Sequence, residues 1–282
     1  MAITVQTNIS SLTAQRNLYT NQKALGTSIN RLSSGLRVNT AADDAAGLAV
    51  SESMKAQIRS YTVAERNAGD GVSMAQTAEG ALGQVHDILG RMRELATQAA
   101  NGSLDDTDRS YLQKEYAQDA LEITRIQQST KFNGVSLIDK ANAPGTVSFQ
   151  VGLNNTKGTD TIEVNFSGVD LSAVTGADIS TQGGAQALLA DAGTSGSIDN
   201  AIKLVSDSRA GYGAAMNRLD YATANIQTMK LNLSAANSRI VDVDVADETS
   251  QLSKNQVLTQ AGVSVLAQAN QLPQLAFGLI GH

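Results

Sequence analysis

The sequence predicts a mainly α-helical protein, in which the N- and C-terminal segments form a long antiparallel helical coiled coil or bundle, with a small β-hairpin region in the middle. Three observations lead to this fold class. The composition has no Cys, no Trp, two Pro, four Phe and six Tyr, which favours helices packed through small and aliphatic side chains. Apolar residues recur at heptad spacing in several long segments. The two ends of the chain carry opposite charges.

The first predicted helix lies in the N-terminal segment, where leucines recur every seven residues. Its apolar positions alternate in steps of four and three, with Gln22 as the polar exception, which is the spacing of a coiled-coil seam. The apolar seam positions are Leu18, Leu25, Ile29, Leu32 and Leu36.

A second long helix and a following helix are predicted before the middle of the chain. Asn101-Gly102 closes the second helix, and the acids from Asp105 to Asp108 favour the start of the next one. Asn133-Gly134 is interpreted as the end of that third helix. The apolar seams are Ala75, Ala78, Leu82, Val85, Leu89, Met92, Ala96 and Ala99, then Leu112, Tyr116, Ile123 and Ile126.

The middle of the chain changes from helical to strand periodicity. Apolar residues alternate with polar residues or Gly from Val147 to Leu153 and again from Ile162 to Phe166, with the turn-rich sequence NNTKGTD between them. This pattern predicts a β-hairpin. Residues 167–197 are rich in Gly, Ala, Ser and Thr, and we expect a surface-exposed, variable connector there.

Two helical seams follow the connector. The first has an apolar residue at seven successive heptad steps: Ile198, Val205, Tyr212, Leu219, Ile226, Leu233 and Ile240. The C-terminal seam sets large residues, Leu258, Val265, Leu272 and Leu279, against small ones, Gly262, Ala269 and Ala276. Small residues allow a neighbouring helix to approach closely.

The two ends of the chain are predicted to pair. Residues 1–42 contain four basic residues and no acid, whereas four acids precede the uncharged tail. Terminal segments with so few charges would expose extensive apolar surface unless something covers it. Each buried Leu, Ile or Val stabilises by about 1.5 to 3 kcal/mol, so several per helix can drive association. We therefore expect the ends to pair within the chain first and between chains second.

Catalytic and metal-binding patterns are absent from the sequence. His86 stands alone in a predicted helix and His282 is the last residue, so a plain histidine is favoured over a metal ligand. Asp43 and Asp44 are neighbours whose side chains diverge on a helix, which favours a helix start or a polar contact between subunits over acid–base chemistry. No HExxH motif or nucleotide-binding glycine pattern occurs. The sequence therefore predicts no enzyme, cofactor or metal.

Several partners and locations are also disfavoured. The net charge of -6 argues against nucleic acid, because phosphate binding needs a basic surface. No run of 18 apolar residues exists, so no membrane insertion is expected. The first fifteen residues lack the features of a cleavable signal peptide, and any export is expected to use another route.

Six segments together resemble bacterial flagellin. They are LSSGLRVNTAADDAAGLAV (32–50), RNAGDGVSMAQTAEGAL (66–82), RMRELATQAANG (91–102), KFNGVSLI (131–138), LSAANSRI (233–240) and QAGVSVLAQANQLPQ (260–274). The resemblance covers about the first 140 and the last 85 residues, in the same order and at both ends.

The resemblance implies a structural subunit that self-assembles into the extracellular flagellar filament for swimming motility. It implies a terminal filament-core domain from residues 1–42 and 241–282, a helical bundle domain from 43–140 and 197–240, and a hairpin and connector at 141–196. It also implies export without a cleaved signal peptide through the flagellar type III apparatus. The implied partners are other copies of the chain, an export chaperone on the C-terminal region, the filament cap and hook-associated proteins.

The resemblance further implies recognition by the animal innate receptor for flagellin, Toll-like receptor 5. Arg91, Leu95 and Glu115 match the positions of the family's key residues for that receptor. Gly90 and Asp119 depart from the usual Gln and Arg, which is expected to weaken recognition.

Three alternatives stay open on sequence grounds. The hook–filament junction protein has ends that resemble those of flagellin. Some flagellins carry a metallopeptidase in the middle region, although the missing HExxH and the short insert argue against it here. A secreted, membrane-active helical protein would account only for the uncharged tail.

Overall fold

A computed structural model describes residues 7–190, 193 and 196–280, with side chains described as far as residue 271. The predicted fold class, mainly helical with a small β region, is confirmed. The helices are α1 (Ile9–Ser34), α2 (Ala45–Ala99), α3 (Asp106–Ser129), α4 (Ser172–Thr175), α5 (Gln182–Leu188), α6 (Ile198–Val241) and α7 (Val245–Ile280). The strands are β1 (Lys131–Phe132), β2 (Val135–Ser136), β3 (Gly145–Gln150) and β4 (Thr161–Phe166).

The chain forms two compact units. The first contains residues 1–56 and 232–282, and the second contains residues 57–231. The division lies further from the chain ends than the sequence-based boundaries at 42 and 241. One reason is that the buried Ser51 hydroxyl donates to the side-chain oxygen of Asn237 at 2.7 Å. The hairpin and connector belong to the second unit.

The first unit is built on an antiparallel pair of helices, α1 and α7. The Asn8 amide donates to the Ala269 carbonyl at 2.8 Å near one end of α1, and Arg31 faces Glu248 at 3.6 Å near the other end. Asn8 also caps α1, because its side chain accepts the N–H of Ser11 at 3.0 Å. Gly35 ends the helix with φ 73°, a left-handed conformation that glycine adopts without strain.

The second unit has the densest core of the described chain. Every residue of the predicted α2 seam is buried, as are Ile198, Val205, Tyr212, Leu219 and Ile226 on α6 and Tyr116, Ile123 and Ile126 on α3. Ion pairs flank the contact between α2 and α6: Arg209 meets Glu79 at 2.7 Å and Lys230 meets Glu65 at 2.7 Å. Because each pair joins α2 to α6, the two pairs together define which faces of these helices meet.

The predicted hairpin is present as β3 and β4, which pair antiparallel with Val147 opposite Val164. Its inner face packs on the helices: the Phe166 ring stacks on Tyr212 with centroids 5.3 Å apart. Gly71 on α2 leaves room for the hairpin, because a Cβ there would lie 3.1 Å from the Phe149 ring.

The interpretation of Asn133-Gly134 as a helix end is wrong. Helix α3 ends earlier, at Ser129, and Asn133 and Gly134 instead join β1 to β2 with φ 49° and 82°. Two successive positive φ angles are the requirement of a tight two-residue hairpin turn, for which Asn-Gly is the preferred sequence.

The expectation of a surface-exposed connector at 167–197 is also wrong. This segment forms α4 and α5 and places apolar side chains in the core of the second unit: Val169, Leu171, Val174, Ile179, Ala185 and Leu188. Backbone groups anchor it as well, since the Ile179 N–H donates to Gln113 at 2.8 Å and the Tyr116 hydroxyl donates to the Val174 carbonyl at 2.8 Å. The spacing of these apolar residues is irregular, so periodicity did not reveal them.

Replacement of Ile179 by Ala tests the packed connector. Ile179 is fully buried, and we expect Ile179→Ala to lower the free energy of unfolding by about 3 kcal/mol through loss of contacts and a residual cavity. Leu121→Ala on α3 is the matched control, because Leu121 is 62% exposed and its truncation should change stability by less than about 0.5 kcal/mol. Urea unfolding followed by circular dichroism measures both. Equal effects of the two substitutions would contradict the packed connector.

Candidate functional site

The seam between α1 and α7 contains fewer large residues than the sequence suggested. On α1 one row of residues is buried or half-buried along the whole helix: Ser11, Ala14, Leu18, Asn21, Leu25, Ser28 and Leu32. On α7 the corresponding row is Glu248, Leu252, Asn255, Thr259, Gly262, Leu266 and Ala269. Both sets follow alternating steps of three and four, as in a coiled coil. Leucines therefore alternate with small and polar residues along this intrachain seam.

The candidate residues of α1 divide between two faces. Leu18, Leu25 and Leu32 lie half-buried in the intrachain seam, and Leu36 lies half-buried just beyond the helix. Ile29 lies outside the seam with 50% of its surface exposed. Its neighbour Ser28 is buried in the seam instead. The alternating steps of three and four residues along the seam include Ser28 and leave Ile29 out.

The two candidate residues of α7 whose side chains are described, Leu258 and Val265, lie outside the seam with α1. Leu258 is 40% exposed and Val265 is 57% exposed. The small residues of the same pattern face inward: Ala269 is buried, and a Cβ on Gly262 would lie 3.4 Å from Leu18 Cδ1. Leu272 and Leu279 fall within α7, but their side chains lie outside the described residues. We call Leu258 and Val265 the outer stripe.

A short backbone bridge joins the segments next to the seam. The Arg37 N–H donates to the Val241 carbonyl at 2.6 Å, and the Val243 N–H donates to the Gly35 carbonyl at 3.1 Å. The Arg37 guanidinium also donates to the Ile240 carbonyl at 2.6 Å, near the end of α6, where a positive charge is favoured by the helix dipole. Residues 35–38 and 241–243 form this chain-end bridge.

Asp44 lies at a helix start, one of the two roles expected from the sequence, whereas Asp43 closes a turn just before the helix. Asp44 accepts the Gly47 N–H at 2.8 Å in the first turn of α2. Asp43 accepts the Thr40 N–H at 2.9 Å, and this bond is the main cause of its lowered pKa. Both carboxylates are thus occupied by local backbone groups.

Arg91 and Glu115 lie on one exposed face of the second unit. Arg91 donates to Glu115 at 2.6 Å and 2.9 Å and to Glu94 at 2.9 Å, and these bonds raise the pKa of Arg91. Leu95, the third residue assigned to the receptor surface, is only 1% exposed. It belongs to the core, because it occupies the inward face of α2 beside Met92 and Ala96, so its placement on the surface is corrected.

Asp119 is an unusual group one turn after Glu115 on α3. One of its carboxylate oxygens is buried without a hydrogen bond. Burial is the main cause of its raised pKa, and the negative charge of Glu115 adds to it, while Arg91 acts in the opposite direction.

The described ranges contain neither a metal-binding cluster nor a helix that could span a membrane. No group of three or more His, Asp or Glu side chains is arranged to hold a metal there. No helix among those residues is long and apolar enough to cross a membrane. His86 is half-buried on α2, and its Nδ1 atom makes no hydrogen bond. His282 lies outside the described residues.

Comparison with known proteins identifies the family. The model of the bacterial flagellin N-terminal helical region matches residues 5–143, and that of the C-terminal helical region matches residues 196–280. A flagellin of Halalkalibacterium halodurans is 44% identical over 277 residues, covering 97% of this chain and 98% of the relative. A flagellin of Bacillus subtilis is 40% identical over 298 residues, with the same coverage of 97% and 98%.

A solved structure is also similar. The crystal structure of Bacillus cereus flagellin shares 34% identity, covers 61% of this chain and 94% of its own, and has a TM-score of 0.49. The family models and the curated relatives define the chain as a structural filament protein. It belongs to the flagellin family and is a self-assembling subunit of the bacterial flagellar filament, an extracellular appendage. Neither curated relative supports the alternative of a hook–filament junction protein.

Asp119→Asn tests the isolated carboxylate. The pKa of Asp119 is raised above 3.8, so the folded chain holds this proton more tightly than the unfolded chain does. Its contribution to stability is present below that value and is lost as the pH rises through the folded-state pKa. We expect Asp119→Asn to raise the unfolding temperature at neutral pH and to lose this advantage near pH 3.8.

The exposed Asp220 on α6 provides the control for this measurement. Asp220→Asn should leave the unfolding temperature nearly unchanged across the same pH range. Thermal unfolding by calorimetry measures both variants, and a gain for Asp119→Asn that did not vary with pH would refute the electrostatic explanation.

Proposed function

We propose that the paired chain ends form the filament core, and that the outer stripe of α7 carries contacts between subunits. The observation that supports this proposal is the exposure of Leu258 and Val265 on a face turned away from α1. Apolar side chains at a regular spacing on one face are a common feature of binding surfaces. Leu272 and Leu279 continue the same spacing along α7.

The α1 residues take a different role in this proposal. Leu18, Leu25 and Leu32 hold α1 against α7 within one chain, and Leu36 lies at the chain-end bridge, where it is paired with Asp242. Ile29, half-exposed on α1, is free for a neighbouring copy. The seam residues then set the shape of the subunit, whereas Ile29 and the outer stripe set its assembly.

The subunit acts in this proposal as a building block, without catalysis and without a cofactor. Of the two neighbouring aspartates, Asp44 accepts an N–H in the first turn of α2, and Asp43 accepts the N–H of Thr40 in the preceding turn. A general acid or base needs a substrate proton within hydrogen-bond reach, and these carboxylates serve backbone N–H groups instead.

The route to the filament follows from the same surface. Exposed apolar residues on α7 would associate prematurely inside the cell, so a chaperone that covers the C-terminal region during export suits this helix. We propose export through the flagellar type III apparatus without a cleaved signal peptide, and growth beneath a filament cap. Hook-associated proteins would meet the same terminal surfaces at the ends of the polymer.

Recognition by Toll-like receptor 5 is proposed for the face that contains Arg91 and Glu115. Both side chains are exposed and are held in fixed geometry by their mutual ion pair, which suits recognition by a rigid partner. Leu95 supports this face from the core instead of contacting the receptor. Asp119 places an additional negative charge beside the pair.

Val265→Asp tests the outer stripe. We expect this change to stop filament growth, because a carboxylate buried in an apolar interface without a partner costs several kcal/mol. The helix content of the subunit should stay the same, since Val265 is exposed in the single chain. Electron microscopy after salting out measures growth, and circular dichroism measures helix content. Val265→Ile keeps the apolar contact and should assemble; filaments of Val265→Asp would contradict the proposal.

Arg91→Ala tests the receptor face. We expect signalling through Toll-like receptor 5 to fall about tenfold or more, because an Arg fixed at the centre of an interface is a common source of binding energy. Arg93→Ala is the matched control: Arg93 also makes an exposed ion pair, with Asp199 on α6 at 2.8 Å. A reporter-cell assay with monomeric protein measures both. An equal fall for Arg93→Ala would show that the effect is not specific to this face.

A further inference from the structure

The pair of helices α1 and α7 carries charges that find no opposite partner within the described chain. Arg16 and Lys23 on α1 make no ion pair there. Three acids near the start of α7 are in the same position: Asp242, Asp244 and Asp247. We call these three residues the acidic start of α7. By contrast, Arg31 meets Glu248 within the chain at 3.6 Å.

The unpaired bases lie on one face of α1, away from α7. Arg16 and Lys23 are seven residues apart, two helical turns, so they project in nearly the same direction. Each precedes a seam leucine, Leu18 or Leu25, by two residues, which places it about 200° around the helix from that leucine. Both basic side chains are exposed. The basic face is therefore directed outward from the intrachain seam.

The acidic start of α7 is exposed in the same way. Asp244 accepts the N–H of Ala246 at 2.9 Å, and Asp247 accepts the side-chain amide of Gln251 at 2.9 Å. These are neutral donors, so the negative charges stay uncompensated by any cation of the described chain. Asp242 is exposed as well.

Apolar residues accompany these charges on the outer faces of both helices. Leu12 and Tyr19 are exposed beside Arg16 and Lys23 on α1. Val245 is exposed on α7 between Asp244 and Asp247. A surface that combines apolar area with unpaired charge of one sign fits a partner with the opposite charge and its own apolar area. A second copy of this chain offers both.

We propose that the basic face of α1 in one subunit docks on the acidic start of α7 in a neighbouring subunit. This inference rests on the assembly function proposed above. It adds which charged surfaces of two neighbouring subunits meet and how far the subunits are displaced along α1. Within one chain Arg31 stands level with Glu248, so the acidic start lies about 15 residues along the α1 direction from the centre of the basic face. At 1.5 Å per residue, the two copies are offset by about 23 Å along the α1 axis.

The contact joins two different surfaces, one on each copy. A contact of this kind leaves a free basic face at one side of the pair and a free acidic start at the other. Each added subunit repeats the same step, and the result is an open polymer when the step does not close into a ring. The charges set the register, and the apolar residues beside them supply the larger part of the association free energy.

Charge reversal in the full-length chain tests the pairing. The variant Arg16→Glu with Lys23→Glu should raise the critical concentration for seeded filament growth about tenfold at low ionic strength. Adding Asp242→Lys and Asp247→Lys restores complementary charge and should return growth to nearly the wild-type level. Asp244 is kept because it caps α7. High salt should reduce the difference between the variants, because exposed charges are then screened.

Lys254→Gln is the control, since it removes an exposed, unpaired cation elsewhere on α7. It should change the critical concentration less than about twofold. Undiminished growth of the variant with Arg16→Glu and Lys23→Glu would overturn the inference. So would a variant with all four substitutions that grew as poorly as that one. A wild-type chain that failed to grow would count against the assembly function itself.

A helical reconstruction of the wild-type filament gives an answer that does not depend on how the variants fold. We expect the Arg16 and Lys23 nitrogens within ion-pair distance of the neighbouring copy's acidic start. A map that shows both bases facing solvent would overturn the inference.

Discussion

The chain-end bridge fixes how the two ends of the sequence meet. Residues 35–38 follow α1 and residues 241–243 precede α7, and three backbone hydrogen bonds hold them side by side. Each helix therefore leaves the bridge in a defined direction and register, with Arg31 level with Glu248. If the register between α1 and α7 shifted by one residue, different side chains would face the seam, because successive residues point in different directions around a helix. The outward position of Val265 therefore depends on this short segment.

Weak internal packing of the ends follows from the composition of the intrachain seam. Ser11, Ser28 and Asn21 contribute little apolar area, whereas the α2 seam of the second unit consists of buried Leu, Val, Met and Ala. Apolar area buried is the main source of stability. The second unit is thus expected to fold on its own contacts, while the paired ends depend more on what a neighbouring copy adds.

Heptad counting found the long helices and much of the helical part of the second unit's core, because regular spacing on a helix needs no knowledge of the partner. It placed Ile29 in the seam, whereas Ser28 is the buried residue there. Hydrophobicity alone does not show which stripe of a helix faces inward. Leu95 was assigned to a surface by resemblance, although its position beside Met92 and Ala96 already indicated the core. The connector was missed because Ile179 and Leu188 are buried without any period.

The outward position of the large α7 residues is a consequence of the small inward ones. Gly262 allows Leu18 to approach closely, so the two helices can pair without using Leu258 or Val265. A seam built from those large residues would have stabilised the single chain by about 1.5 to 3 kcal/mol for each one buried, and the same area would then be lost to assembly. Because Gly262 and Ala269 occupy the seam while Leu258 and Val265 lie outside it, the apolar area of these two large residues stays available for contacts in the polymer. Ordering the ends costs about 1 to 2 kcal/mol per residue in backbone entropy, which contacts with neighbouring subunits help to offset.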